Sequence, residues 1–259
     1  MSLNFSLDGK IAIVTGGGKG IGKQIALAYA RSGADVVVCG RNAETLDETV
    51  EEIKKLNRCG LGIKTDIQKI SDIKSAVDKT IAKFGHIDIL VNNAGVNRTG
   101  PSLEVTEETW DMILDTNVKG MFFFCQAVGR YMIKQKRGKI INIGSIISKV
   151  GIGYNVPYSA SKGAVNLLTK ALALEWIKNN IQVNAIGPGY VITDQVRWIF
   201  QKTKLVDKSF IYRQPSGRAG TVEDIEGAAV FLASEASDYI NGEMIFVDGA
   251  STAGWVGPE

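Results

Sequence analysis

The sequence is poor in metal-binding and cross-linking chemistry. It has one histidine, His86, and three cysteines, Cys39, Cys59 and Cys125, scattered and odd in number. Zinc sites need closely spaced Cys or His ligands, so no metal centre is expected. Scattered, odd-numbered thiols suit a reducing compartment and not a disulfide framework. No apolar run approaches the roughly 18 residues of a membrane span, so no membrane association is expected. The first ten residues lack the basic end and apolar stretch of a signal peptide. A cytoplasmic protein is therefore predicted. Net charge is only +3, without the dense basic face of a nucleic-acid binder. Five prolines stand against 29 glycines with no collagen-like period, so the glycines mark particular tight backbone places.

What is present is globular. The 259 residues are 45% hydrophobic and 22% charged, which excludes a disordered chain. This length allows one or two domains, and the pattern favours one domain over 1–259. Short β-rich runs alternate with helical stretches. Strands are expected at 11–15, 35–39, 61–65, 87–91, 139–143, 181–186 and 243–247. Helices are expected at 21–31, from an Asn42 cap to about Leu56, from a Ser71 cap to about Phe84, over 107–135 as a short and a long piece, over 159–178 and over 221–232. Gly33 falls where the first helix should stop. The expected fold class is α/β, a doubly wound, seven-stranded parallel sheet with helices on both faces. The largest interruption, about 187–220, suits a lid over a site at the strand ends.

Thr15-Gly-Gly-Gly-Lys-Gly-Ile-Gly22 joins the first strand to the first helix. Glycines there let the backbone approach a pyrophosphate, and the helix start offers free N–H groups. A site specific for NAD places an acid after the second strand. Here that end reads Cys39-Gly40-Arg41-Asn42, and Lys19 lies in the glycine loop. Two cations near the ribose match a 2′-phosphate, so NADP(H) is preferred over NAD(H). Further on, Ser145 follows the fifth strand, and Tyr158 and Lys162 stand four apart at the start of a helix, sharing one face. A cation beside a phenol is expected to lower its pKa from about 10, making it a general acid or base. Ser145 is placed to polarise the same substrate oxygen.

With Asn92-Asn93-Ala94-Gly95 after the fourth strand, these motifs resemble the short-chain dehydrogenase/reductase family, in its main single-domain branch, over about Leu7 to Gly249. The family's Thr-Gly-x-x-x-Gly-x-Gly is met by Thr15, Gly16, Gly20 and Gly22. The resemblance implies a Rossmann fold and reversible hydride transfer between a nicotinamide and a ketone or secondary alcohol. It implies four catalytic residues, Asn117, Ser145, Tyr158 and Lys162, with Asn117 holding a proton-relay water near the lysine. Cofactor binding falls to Gly18, Lys19 and Ile21 beside the loop residues just named, to Arg41, Asp66 and Ile67, to Asn93, Ala94 and Gly95, to Tyr158 and Lys162, and to Pro188, Gly189, Val191 and Thr193. A homotetramer is implied as well.

The substrate is less sharply marked. Residues 193–218 hold Arg197, Lys202, Lys204, Lys208, Arg213 and Arg218 against Asp194 and Asp207, a bias that would attract an anion. Arg98, Ser145, Tyr158 and Tyr190 are the candidate substrate contacts. Asn97, Arg98 and the ending Asp-Gly-Ala-Ser-Thr-Ala-Gly-Trp resemble the gluconate 5-dehydrogenase-like subgroup, implying a sugar acid or polyol. A 3-oxoacyl-(acyl carrier protein) reductase shares every motif, and a non-catalytic nucleotide-sensing module is the alternative from another class. His86 reads as a loop residue and Phe122–Phe124 as packing. Trp198, Phe200, Phe210 and Tyr212 suit either a substrate wall or lid packing, and Trp255 a subunit contact.

Overall fold

The computed structural model describes residues 4–193 and 214–254. Seven parallel strands form one sheet: β1 (Ile11–Thr15), β2 (Asp35–Gly40), β3 (Gly60–Lys64), β4 (Ile89–Asn92), β5 (Gly138–Ile143), β6 (Ile181–Pro188) and β7 (Met244–Val247). Their order is β3-β2-β1-β4-β5-β6-β7. The direction of winding reverses between β1 and β4, and such a reversal opens a crevice at the carboxyl ends of the strands.

Strand side chains alternate between the faces, which divides the interior into two cores. One face takes Ala12 and Val14 of β1 with Val36 and Val38 of β2. It is covered by Ile25 of α1 (Gly20–Arg31), Leu46 and Ile53 of α2 (Ala43–Lys55), and Leu232 further along the chain. The other face takes Ile13, Val37 and Cys39. There Ile73 of α3 (Ile70–Phe84), Phe124 and Val128 of α5 (Met121–Gln135), and Leu172 and Trp176 of α6 (Val156–Trp176) pack. A short α4 (Glu107–Leu114) precedes α5, and α7 (Glu226–Ala233) precedes β7. The doubly wound α/β architecture read from the sequence is the observed one.

The boundaries differ in instructive ways. Ser71 is not a cap: α3 starts at Ile70, with Lys69 ahead of it. Asp72 anchors that first turn by accepting from Asp66 N at 3.1 Å. Asn42 does cap α2, accepting from Thr45 N. Helix α6 starts at Val156, three residues early, because Pro157 fits a first turn whose N–H groups need no helical partner. Between α4 and α5 lies a π-helical turn, Asp115–Gly120, instead of a break. The stretch expected as a helix over 221–232 is a 3-10 turn, Glu223–Ile225, followed by α7. Strand β6 runs on to Pro188, so the interruption begins later than expected. Its base is closed by a parallel bridge of Val191 to Gly220. The lid residues 194–213 named from the sequence, with their basic and aromatic side chains, lie outside the described residues, as does Trp255. Cys39, Cys59 and Cys125 are all free thiols. No helix among the described residues is long and apolar enough to cross a membrane.

Candidate active site

The glycine loop sits at the sheet reversal and is stapled there. Thr15 Oγ1 accepts from Asn93 N at 2.9 Å and Ala94 N at 3.0 Å. Asn93 Nδ2 returns to Thr15 O at 3.0 Å and Gly16 O at 3.3 Å. The exits of β1 and β4 are thereby locked side by side. Gly16 has φ 65°, and a Cβ there would lie 2.7 Å from Asn93 Nδ2. A Cβ on Gly22 would strike the Gly16 carbonyl and Asn93. Only glycine allows this close approach.

In front of the loop lies a cavity of about 480 Å³, within the range of small-molecule sites. Gly16, Gly18, Lys19, Gly20 and Ile21 form one wall, and Asn93, Ala94 and Gly95 another. Arg41, Asp66, Ile67 and Thr193 complete it. Lys19 and Arg41 are both exposed at its edge. Arg41 and Asn42 directly follow β2 and line the cavity with Lys19. Among the predicted contacts, Thr15, Gly22, Lys162 and Pro188 are not lining residues of this cavity. Sequence reasoning missed Asn42, Thr45, Gln68, Val96 and Thr116 as lining residues. Gly18 held a clue to Thr45, since a Cβ there would lie 2.6 Å from Thr45 Oγ1.

A second cavity of about 270 Å³ is lined by Ser145, Tyr158, Gly189, Tyr190 and Val191, all named from the sequence. Ile147, Ile152, Asn155 and Gln214 were not foreseen there. Asn97 lines it, whereas Arg98 is exposed and lines neither cavity. Arg218, counted among the basic mouth residues, is engaged by Asp224 through bonds of 2.6 and 2.9 Å.

Ser145 caps a 3-10 turn, accepting from Ile147 N at 3.2 Å, and its side chain hydrogen-bonds Tyr158. Lys162 is buried, its Nζ 5.5 Å from the Tyr158 ring centroid, and donates to Ile143 O at 2.7 Å. Asn117 Oδ1 accepts from Val96 N at 2.8 Å, while Nδ2 donates to Val96 O at 2.9 Å and Ser161 Oγ at 3.1 Å. Both ends of that side chain are engaged, so it braces the loop after β4 against Ser161.

The electrostatics correct one expectation. Burial pushes the Tyr158 phenol up from 10.0 to about 12, and the Ser145 hydrogen bond only draws it partly back. The neighbouring cation does not lower it. Burial also pushes the Lys162 ammonium down from 10.5 to about 8. In a water-poor site desolvation disfavours both charged forms.

A mononucleotide-pair fold, a glycine cradle at the sheet reversal and a Ser-Tyr-Lys group beside it define a nucleotide-dependent oxidoreductase. Comparison with known proteins gives the family. Residues 10–204 match the short chain dehydrogenase family. The chain is 44% identical over 254 residues to 2-dehydro-3-deoxy-D-gluconate 5-dehydrogenase of Escherichia coli (strain K12), covering 97% of each. It is 42% identical over 251 residues to gluconate 5-dehydrogenase of Gluconobacter oxydans (strain 621H), covering 96% of each. A gluconate 5-dehydrogenase from Burkholderia cenocepacia J2315, solved in complex with NADP and tartrate, superposes with a TM-score of 0.92 at 38% identity, over 97% of this chain and 98% of that one. The chain belongs to the short-chain dehydrogenase family and is an oxidoreductase.

The burial of Lys162 has a measurable consequence. Its depressed pKa means the folded state binds fewer protons than the unfolded state between pH 8 and 10.5, so stability rises with pH across that window. Below pH 8 the buried charge costs on the order of 3 kcal/mol. Lys162→Met should therefore melt above wild type at pH 7, with the gap narrowing from pH 8 to 10. A gap independent of pH would mean that the ammonium is not desolvated.

Proposed function

We propose that this chain is an NADP(H)-dependent oxidoreductase that interconverts a ketone and a secondary alcohol on a sugar acid of the gluconate type. The observation that supports it most is the placing of Ser145 and Tyr158 in one cavity beside a glycine-lined, cation-edged second one. The names of the relatives, gluconate 5-dehydrogenase and 5-keto-D-gluconate 5-reductase among them, support the substrate class. The NADP in the Burkholderia cenocepacia complex supports the cofactor.

The residues fit that cofactor: the glycine backbone and the start of α1 would take the pyrophosphate, and Lys19 and Arg41 the 2′-phosphate. When bound, it exchanges a hydride with the substrate carbon. Tyr158 gives its proton to the substrate oxygen in reduction and takes it back in oxidation. Ser145, its acceptor side occupied by Ile147 N, directs its own proton at that oxygen. Lys162 keeps donors toward the ribose beyond the one held by Ile143 O, since an ammonium has three. The sugar-acid names of the relatives given above favour this reading over the 3-oxoacyl carrier-protein one, and the intact Ser-Tyr-Lys group speaks against a nucleotide-sensing module.

We also propose a cytoplasmic homotetramer. Leu167 and Leu174, 68% and 79% exposed, lie seven residues apart on one face of α6, and an apolar stripe of this kind suits a subunit contact. The three free thiols suit a reducing compartment, and cell fractionation tests that placement.

Tyr158→Phe should bind NADPH as wild type does and lower kcat for 5-keto-D-gluconate at least about a hundredfold. Undiminished turnover would remove Tyr158 from its role. Arg41→Ala should raise the KM for NADPH about tenfold to a hundredfold and that for NADH far less. Equal effects would mean that Arg41 does not meet the phosphate. Sedimentation velocity should give a tetramer that Leu174→Glu weakens; a monomeric wild type would exclude the assembly.

A further inference from the structure

Asn155 stands immediately before α6, where an asparagine side chain ordinarily accepts a backbone N–H from the first helical turn. No such bond forms, and the backbone there has φ −137° and ψ 31°. The helix start is made by the main chain: Ser159 N donates to Asn155 O at 2.8 Å. Asn155 is 8% exposed. Its amide oxygen is buried with no hydrogen-bond partner among the described residues, and the residue lines the same cavity as Ser145 and Tyr158. Buried acceptors are almost always paired, so one left open inside a cavity points to a ligand that pairs it.

Its neighbours hold it in place. Tyr154 has φ 61°, a conformation that bulky side chains avoid and that persists only where surroundings enforce it. The enforcement is visible: the Tyr154 carbonyl accepts from Gly100 N at 2.9 Å, tying the segment to the loop after β4. Much of the cavity wall around the amide is aliphatic, with Ile146, Ile147, Ile152 and Ile192. These side chains offer no hydrogen bond, so the Asn155 oxygen stands out against them.

We infer that Asn155 is a specificity-determining residue: its amide oxygen accepts a hydrogen bond from a substrate hydroxyl close to the reacting carbon, and so selects hydroxylated ketones over plain ones. Asn155 and Tyr158 line the same cavity, so one substrate can place its reacting oxygen at Tyr158 and a nearby hydroxyl at Asn155. A substrate with a methylene at that place leaves the buried oxygen unpaired, and such mismatches are strongly rejected. This selection works against an acyl thioester and in favour of a polyol chain. The inference rests on the proposed ketone–alcohol chemistry of the site, and not on the substrate being an acid.

The test is reduction of 2-hydroxycyclohexanone and of cyclohexanone with NADPH, with 5-keto-D-gluconate alongside. The proteins compared are wild type, Asn155→Ala, Asn155→Leu and Asn155→Asp. Asn155→Leu keeps the branched shape and removes the acceptor, so it serves should the alanine variant fold poorly. Wild type should favour the hydroxyketone in kcat/KM by about tenfold. The preference should fall to near one in Asn155→Ala and Asn155→Leu, and persist in Asn155→Asp, whose carboxylate still accepts. Absence of a wild-type preference, including no turnover of the hydroxyketone, overturns the inference. Persistence in the alanine or leucine variant also overturns it, as does loss in the aspartate variant. Because each ratio is internal to one protein, a smaller folded fraction does not alter it. If the neutral pair behaves as expected while 5-keto-D-gluconate is untouched, the sugar-acid reading fails and Asn155 keeps its role. If 5-keto-D-gluconate turns over without any hydroxyl preference, Asn155 loses its role and the function stands.

Discussion

One hydroxyl and one side-chain amide hold the ends of β1 and β4 together, and the rest of the site depends on that junction. Parallel neighbours at a sheet reversal send their following loops to opposite sides, which opens the crevice but gives it no fixed width. Thr15 Oγ1 sets the width by taking both Asn93 N and Ala94 N, and Asn93 Nδ2 closes the return path onto Thr15 O and Gly16 O. Each such bond adds only about 1 kcal/mol net to stability. Their larger effect is geometric. They bring the Asn93 amide so near Gly16 and Gly22 that no side chain fits at either position, and the loop backbone is left bare where a phosphate would approach.

Asn117 ties the wall of the glycine-lined cavity to the helix that lines the second one. Val96, on the wall of the first, is gripped through both its N–H and its carbonyl. Ser161 is held by the same side chain, and Ser161 Oγ donates to the Tyr158 carbonyl at 2.8 Å. One asparagine therefore fixes the loop after β4 against the helix that carries Tyr158. The π-helical turn is the local cost of placing it there, since widening the helix over Asp115–Gly120 interrupts the regular hydrogen bonding between α4 and α5. Gly120 belongs to the same constraint: a Cβ on it would lie 2.5 Å from Ile67 O.

Much of this was legible in the chain because its signals are local. Strands such as Val36–Cys39, buried on both faces, read as continuous apolar runs, and a glycine cluster between strand and helix has few other uses. The spacing of Tyr158 and Lys162 fixed a shared helix face. What escaped needs three-dimensional surroundings. The direction of the Tyr158 shift depends on how dry the site is, and spacing along a helix carries no information about that. Asn97 and Arg98 are adjacent, and only the course of the loop decides that the first lines a cavity and the second faces solvent. Asn155 lies ahead of the helix expected over 159–178, and the sequence assigns it no role. Only the absent cap bond shows that its side chain is turned elsewhere.

Burial drives Tyr158 and Lys162 toward their neutral forms, and this sets how the pair can act. A phenol held to about 12 is protonated at neutral pH, the form required to give a proton to a carbonyl oxygen. The same shift makes its phenolate a stronger base, so the site is not biased toward one direction by the tyrosine alone. Lys162 complements it: with a pKa near 8, it changes protonation state near neutral pH at little free-energy cost. Its contact with Ile143 O fixes the amine from the sheet side.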